Sequence, residues 1–221
     1  MNEPKKIDAH AWPRDPHDWY VESEACSIAL FQAEEFNGSI VDPAAGTGRI
    51  VRAARSKYCA LGFDLIDRNK RKYARYVDDV IGGVDFMADD WTAPLKNSDI
   101  VSNPPFSLCA PRGYNWDKPD RAPLFPDLAL RRMARKCALF LPAKYVGSSV
   151  GRWRWLETTP LKTIYHIVPR PSMPPGDALI AMLKAGKSPG NGYEDFVCLV
   201  WERGHKGPPA SRMLDISKAA A

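Results

Sequence analysis

Between residues 39 and 102 the chain repeats one pattern: a short apolar run, a polar residue that ends it, then a loop or a charged segment. "SIVD" (39–42) passes through "PAAGTG" into the helical pattern "RIVRAARSK" (49–57). "YCALGFD" (58–64) leads into "RNKRKYARYVDD" (68–79), whose composition predicts a charged helix. A weak run follows near 80–84 and a stronger one, "DIVS", at 99–102. Runs this short read as strands rather than helices. Strands alternating with helices require crossover connections, which are right-handed and build a mostly parallel sheet. Such open sheets bind ligands outside the carboxyl ends of their strands. Chemistry is therefore to be sought in the residues just past each run.

The rest of the chain adds to this frame. "SEACSIALFQAEEF" (23–36) predicts a first helix, with Ser23 as its cap and apolar positions at 28, 29, 31 and 36. "SLCAPRGYNWDKPDRAPLFP" (107–126) holds four prolines and no apolar period, which predicts a long irregular loop of functional use. "DLALRRMARK" reads as an amphipathic helix and "CALFLP" (137–142) as a buried strand. Two late strands, "TIYHIV" (163–168) and "DFVCLVW" (195–201), are separated by Pro/Gly-rich stretches and predict an antiparallel hairpin at one sheet edge. The expected architecture is an α/β fold of about seven strands, occupying 19–203. Residues 1–18 read as a flexible arm and 204–221 as a tail.

At 221 residues the chain suits one core. It has no apolar run of membrane-spanning length and no signal-like h-region. Cys26, Cys59, Cys109, Cys137 and Cys198 are widely spaced and never form a CxxC pair. That pattern indicates free thiols in a reducing, cytoplasmic setting and no structural metal. Charge is unevenly placed: residues 1–110 carry 13 Lys+Arg against 17 Asp+Glu, whereas 111–221 carry 18 against 9. Nine basic residues and one acid, Glu157, lie between Arg131 and Arg170. A polyanion partner or a solvated basic face would both account for this.

The strand ends carry specific chemistry. "IVDPAAGTGRI" (40–50) places Gly46 and Gly48 between the first strand and the next helix, but lacks the third glycine of a dinucleotide fingerprint and the Gly-Lys-Ser/Thr of a P-loop. Asp64, ending "GFD", lies one strand along at the same edge, where a carboxylate can accept two ribose hydroxyls or cap a helix. Asp85-Phe86 could read an adenine amine and pack on its face, or be a turn acid beside a core ring. "DIVSNPPF" (99–106) ends its strand with two prolines, which fixes the backbone rigidly.

Together these segments resemble the S-adenosylmethionine-dependent adenine-N6 (amino) DNA methyltransferases, in the small phage or prophage-like form with Asn-Pro-Pro-Phe. The resemblance covers roughly residues 18–201 and implies a Rossmann-like class I methyltransferase fold. "DPAAGTG" looks like the cofactor loop, with Asp42, Pro43, Ala44, Gly46 and Gly48. Asp64 matches the ribose acid and Asp85-Phe86 the adenine-contact segment. Asn103, Pro104, Pro105 and Phe106 match the catalytic motif. "DWYVES" is similar to the segment that touches the methionine end, which implicates Tyr20; it departs from the commoner Tyr-x-Thr-Pro. "RPSMPPG" resembles the late Arg-Pro-x-Phe, with Met173 where the family carries Phe.

The resemblance implies S-adenosyl-L-methionine as cofactor and DNA as partner, with the target adenine flipped out of the duplex. The amine of adenine is a poor nucleophile. The Asn103 side-chain carbonyl and the Pro104 carbonyl would each accept an N6–H and stabilise charge developing on that nitrogen. Phe106 would stack on the base. "YVGSSVGRWRWLETTP" interleaves Arg152 and Arg154 with Trp153 and Trp155, and with Arg170 these form the expected nucleic-acid contacts. Recognition would fall to 107–126 and 143–194. The same clamp also suits a base amine in RNA or a glutamine amide, and a silent binding module would keep the same fold.

Overall fold

The computed structural model describes residues 15–69, 73–77, 79–88, 91, 97–118, 121, 124–190 and 192–219. In chain order its first elements are α1 (Glu24–Ala33), β1 (Ser39–Asp42), α2 (Arg49–Ala54), β2 (Cys59–Asp64), β3 (Val80–Gly82) and β4 (Ser98–Ser102). Next come α3 (Phe106–Cys109), α4 (Phe125–Arg132), β5 (Lys136–Pro142), α5 (Lys144–Gly147) and α6 (Val150–Glu157). The chain ends with β6 (Leu161–Val168), α7 (Gly176–Lys184), β7 (Phe196–Glu202) and β8 (Ala210–Asp215). The strands form one sheet in the order β3-β2-β1-β4-β5-β7-β6-β8. β1 to β5 run parallel to one another, β7 lies antiparallel between β5 and β6, and β8 runs parallel to β6.

The physical reason for the apolar runs is now visible. Every residue of β4 and β5 is buried, because helices cover both faces of the sheet. Phe31, Ile50 and Ala54 from α1 and α2 join one core layer; Phe125, Leu128 and Leu156 from α4 and α6 join the other. The sheet thus presents the carboxyl ends of its first four strands on one edge.

Four readings of the sequence need correction. The helix expected over 68–79 is a 3₁₀ turn, Ala74–Tyr76, among the described residues. The stretch 107–126 is not wholly irregular: α3 occupies its start and α4 begins at Phe125. β6 and β7 are antiparallel as expected, but α7 fits between them and they do not form the edge. The edge is β8, formed from what reads as a polar tail. Its residues are mostly exposed, with Leu214 alone buried, so it offers little apolar pattern to detect. Ser23 holds the N-cap position of α1 without a side-chain capping bond. Of the N-terminal arm, residues 1–14 lie outside the described residues, and 15–18 pack into the site described below.

At the opposite end of the sheet from that site, Asp99 is wholly buried. Its carboxylate accepts backbone N–H bonds from Arg135 (2.9 Å), Lys136 (2.6 Å) and Asn37 (2.8 Å). One side chain therefore fixes the starts of β1, β4 and β5. Asp99→Ala would leave three backbone donors unpaired, and each buried orphan costs about 1–3 kcal/mol. A loss of at least ~3 kcal/mol in chemical denaturation is expected; a loss below ~1 kcal/mol would contradict this role.

Candidate active site

The first four strand ends surround a cleft of about 210 Å³. Its walls come from the loops that follow them: Pro43–Thr47 after β1, Asp64–Ile66 after β2, Val84–Met87 after β3, and Asn103, Pro105, Ser107 and Leu108 after β4. A strap, residues 16–22, closes it from the side. The strap is held by Val21 N–H on the Pro174 carbonyl and Gly176 N–H on the Trp19 carbonyl, both 2.9 Å. The Ser107 N–H also donates to Asp18 Oδ2 at 2.7 Å.

The glycine loop is braced from two strands. Asp42 Oδ1 accepts the Ser102 hydroxyl at 2.7 Å and the Ala44 N–H at 3.1 Å. Asp64 Oδ2 accepts the Gly46 N–H at 2.9 Å, and its Oδ1 accepts the Ile66 N–H at 2.8 Å. Gly46 has φ +55°, and a Cβ there would lie 2.9 Å from Trp19 Nε1, so this position excludes a side chain twice over. Gly48 sits at the α2 N-cap, also with positive φ, and does not line the cleft.

Asn103 is 8% exposed. Its Nδ2 donates to the Tyr20 carbonyl at 2.7 Å and to Glu22 Oε2 at 3.3 Å. Both partners accept, which dictates the orientation of the amide. The Asn103 Oδ1 is buried without a partner. Three further buried polar atoms of cleft residues have no hydrogen-bond partner: Trp19 Nε1, Thr47 Oγ1 and Arg68 Nε, the last held only by an ion pair to Asp64 at 3.6 Å. Buried polar groups are normally paired. A cleft with two orphan donor-bearing groups, one loosely paired guanidinium and one orphan acceptor fits a polar ligand with complementary groups, as a nucleoside–amino-acid conjugate such as S-adenosylmethionine would be.

Most residues singled out from the sequence meet here: Tyr20, Pro43, Ala44, Gly46, Asp64, Asp85, Phe86, Asn103 and Pro105 all line the cleft. Asp42 does not. It is 1% exposed and turned sideways to Ser102 on the neighbouring strand, so it holds loops rather than ligand. Pro104 is buried behind the cleft wall. Phe106 starts α3 and stands parallel to the Tyr20 ring, with centroids 5.9 Å apart and 9° between planes. Asp85 is exposed and accepts the Met87 N–H at 2.8 Å. Phe86 packs against Phe125 and Trp91, so it is both core and floor. Met173 is buried in the core layer of α1 and α2, away from any base-stacking role.

Sequence reading missed Trp19, Glu22, Thr47 and Arg68. Trp19 and Glu22 flank Tyr20 within "DWYVES", and that clustering of aromatics and acids was the available signal. The Arg68 guanidinium lies 3.8 Å over the Trp19 ring and 3.6 Å from Asp64 Oδ1.

The basic stretch does not form one face. Arg135, Lys136 and Lys162 pair with Glu202 or Glu34, Lys144 with Glu194, and Arg170 with Asp195. Arg132 donates to the Phe86 and Ala88 carbonyls. Arg152, expected on nucleic acid, is 6% exposed. It donates to the Lys144 carbonyl and Ser148 and lies 4.5 Å over the Tyr145 ring. Its long side chain runs inward from α6 because Tyr145 and Trp116 offer it aromatic faces. Arg154 is exposed as expected, and Arg170 is exposed but paired. Trp153 and Trp155 are half-buried against the core. Trp155 contacts Trp116 of the 107–118 loop (5.5 Å), and that loop carries exposed Arg112 and Lys118.

No protein-family model matches the sequence, and no curated protein matches it. Solved structures do resemble it. The type I restriction-modification methyltransferase subunit from Streptococcus thermophilus superposes with a TM-score of 0.50 and 15% identity, over 82% of this chain and 43% of that one. The type I restriction enzyme EcoKI M protein gives 0.49 and 14%, over 89% and 45%. A structure concerned with conversion of a disulfide into a thioacetal during echinomycin biosynthesis gives 0.50 and 15%, over 86% and 85%. The chain spans less than half the length of the two restriction-system proteins. At such identities the likeness is one of fold. Taken with the strand order and the antiparallel β7, it defines a Rossmann-like class I methyltransferase fold, extended here by β8. Among the described residues no helix is long and apolar enough to cross a membrane, and no cluster of His, Cys, Asp or Glu could hold a metal.

Burial drives the Asp42 carboxyl well above the usual carboxylate range, and the negative charge of Glu22 adds to it; the Ser102 and Ala44 bonds oppose the rise. A carboxyl whose folded pKa is raised stabilises the fold while protonated, and that contribution is lost as pH climbs from the unfolded value through the folded one. Asp42→Asn keeps an acceptor for Ser102 and Ala44 without ionising. The stability difference between Asp42→Asn and wild type should therefore shift in favour of the variant as pH rises from ~4 to ~8. Thermal melts across that range showing a constant difference would contradict the raised pKa.

Proposed function

We propose that this protein transfers a methyl group from S-adenosylmethionine to the exocyclic N6 amine of adenine in DNA. The observation that carries the reading is Asn103: a rigidly oriented amide in the cleft wall whose buried oxygen lacks a donor. That oxygen suits an N–H group and repels another acceptor. The cofactor would supply a methyl already activated on a positively charged sulfur, so no covalent nucleophile of the protein is needed. The Gly46 loop would admit the methionine part, Asp64 would accept the ribose hydroxyls, and Asp85 with Phe86 would meet the adenine.

On the target side, Asn103 Oδ1 would accept an amine hydrogen, while Pro104, buried behind the wall, would hold Asn103 in place. Acceptors fixed beforehand stabilise charge as it develops on nitrogen and require no rearrangement during transfer. The parallel rings of Phe106 and Tyr20 supply an aromatic surface for an extruded base. DNA is favoured by the resemblance of Asn-Pro-Pro-Phe and of the late segments to amino DNA methyltransferases. Arg112, Lys118 and Arg154, exposed beside Trp116 and Trp155, are the cations we assign to phosphate.

Single-turnover methyl transfer with labelled cofactor on duplex DNA, single-stranded DNA and RNA tests the reading, with nucleoside analysis of the product. N6-methyladenine in DNA is expected. Asn103→Ala should lose about 10²–10³ in rate, by analogy with deletion of one preorganised donor, while cofactor affinity changes little. Transfer by Asn103→Ala at the wild-type rate, or 5-methylcytosine as product, would reject the mechanism. Replacing Arg112, Lys118 and Arg154 together with Gln should flatten the salt dependence of duplex binding, by about 0.9 in log–log slope for each phosphate no longer neutralised. An unchanged slope would place the DNA elsewhere.

A further inference from the structure

Resting on that reading of the cleft, we propose that Glu22 is the counter-charge by which the site distinguishes the positively charged sulfonium cofactor from its neutral thioether product. Glu22 lies in the strap, is 6% exposed, and lines the cleft beside Asn103. Its Oε2 is 3.3 Å from Asn103 Nδ2. The nearby cation Arg49 donates to the Glu22 backbone carbonyl at 3.2 Å, not to its carboxylate. Among the described residues no Lys, Arg or His forms an ion pair with that carboxylate. The other charged groups that bear on it, Glu24 and Asp42, are acids.

A buried carboxylate helped only by its own backbone N–H, the Asn103 amide and the charge of Arg49 is costly unless a cation joins it. Burial pushes the Glu22 carboxyl above its ordinary range, and a cation seated beside it in the cleft would favour the ionised form. The carboxyl's place is set by Asn103: the same amide that would hold the target amine touches Glu22. On that reading a methyl donor's sulfur would stand close to the amine held by Asn103, and so beside Glu22. Before transfer the sulfur is cationic; afterwards it is a neutral thioether. Both forms keep the same ammonium, carboxylate and nucleoside, so a group facing the sulfur is felt by one form alone. The same difference would weaken the hold on product once the methyl has left.

Isothermal titration of the full chain with S-adenosylmethionine and with S-adenosylhomocysteine tests this. Wild type should bind the sulfonium form at least severalfold more tightly. Glu22→Gln, which still offers Asn103 an acceptor, should weaken sulfonium binding about tenfold and leave thioether binding within about twofold. Equal loss of both ligands would assign Glu22 to the shared ammonium, and no loss of either would leave it an orienter of Asn103; each outcome overturns the proposal. If Glu22→Gln does not fold, the wild type still decides: a chain that binds the thioether as tightly as the sulfonium refutes it. A wild type that binds neither ligand instead refutes the cofactor reading itself.

Discussion

The Ser102 hydroxyl donates to Asp42 across 2.7 Å, and this one buried bond joins the last residues of β4 and β1. Parallel pairing alone places the two strand ends at the same sheet edge, but it leaves the loops beyond them undirected. Asp42 directs both: it accepts Ser102 on one side and the Ala44 N–H on the other. From Ala44 the bracing passes on, since the Ala45 N–H meets the Phe63 carbonyl at 2.8 Å and the Gly46 N–H meets Asp64. Three strands are thereby laced at their carboxyl ends. Asn103, one residue past Ser102, inherits its position from that lacing. Asn103 and the glycine loop are thus one construction, and their distance apart is not left to loop motion.

The strap completes what the sheet cannot. Trp19 wedges between the two ends of the fold: a Cβ at Gly46 would come 2.9 Å from its indole nitrogen, and one at Gly176 would fall 2.2 Å from its ring. Glycine on both sides is what allows a side chain of that size to lie across the cleft. The strap also supplies the Tyr20 carbonyl and the Glu22 carboxylate that orient Asn103. The cleft consequently has chemically unlike walls. Trp19, Thr47 and Arg68 bring donors; Glu22, Asp64 and Asn103 bring acceptors.

Legibility in the sequence followed physical cause. β1, β2, β4 and β5 read clearly because burial on both faces demands unbroken apolar runs, and the strand-end motifs read clearly because each follows such a run. α6 and α7 did not stand out: α6 mixes two tryptophans with two arginines, and α7 is preceded by four prolines within seven residues. β8 contributes one buried side chain and joins the sheet chiefly by backbone pairing with β6, which no side-chain pattern records. Gly46, Asp64 and Asn103 were legible by type and place. Asp42 was legible as a site residue but not in its role, since only the fold reveals that its neighbour is Ser102.

Charge was the least legible property. A sequence counts cations, whereas their availability depends on whether a buried acid waits for each. Lys136 is 3% exposed and pairs with Glu34, which also accepts the Tyr165 hydroxyl; both acid and base are enclosed by α1, β5 and β6. Glu202, directly opposite Lys136 across β5 and β7, holds Lys162 and Arg135 at the same end of the sheet. These groups repay their desolvation only by staying together, so none can be lent to a phosphate without exposing a buried partner. Arg152 is withheld for a different reason, since its guanidinium is already sandwiched toward Tyr145 and Trp116, where burial lowers its proton affinity. Of the nine basic residues from 131 to 170, only the side chains of Arg131 and Arg154 have no hydrogen-bond or ion-pair partner among the described residues. Most of the basic run from 131 to 170 is therefore already paired within the protein, in part at its surface. Of that run, Arg131 and Arg154 are the side chains left for a polyanion, and further contacts must come from cations outside it, such as Arg112 and Lys118 of the loop that follows Asn-Pro-Pro-Phe.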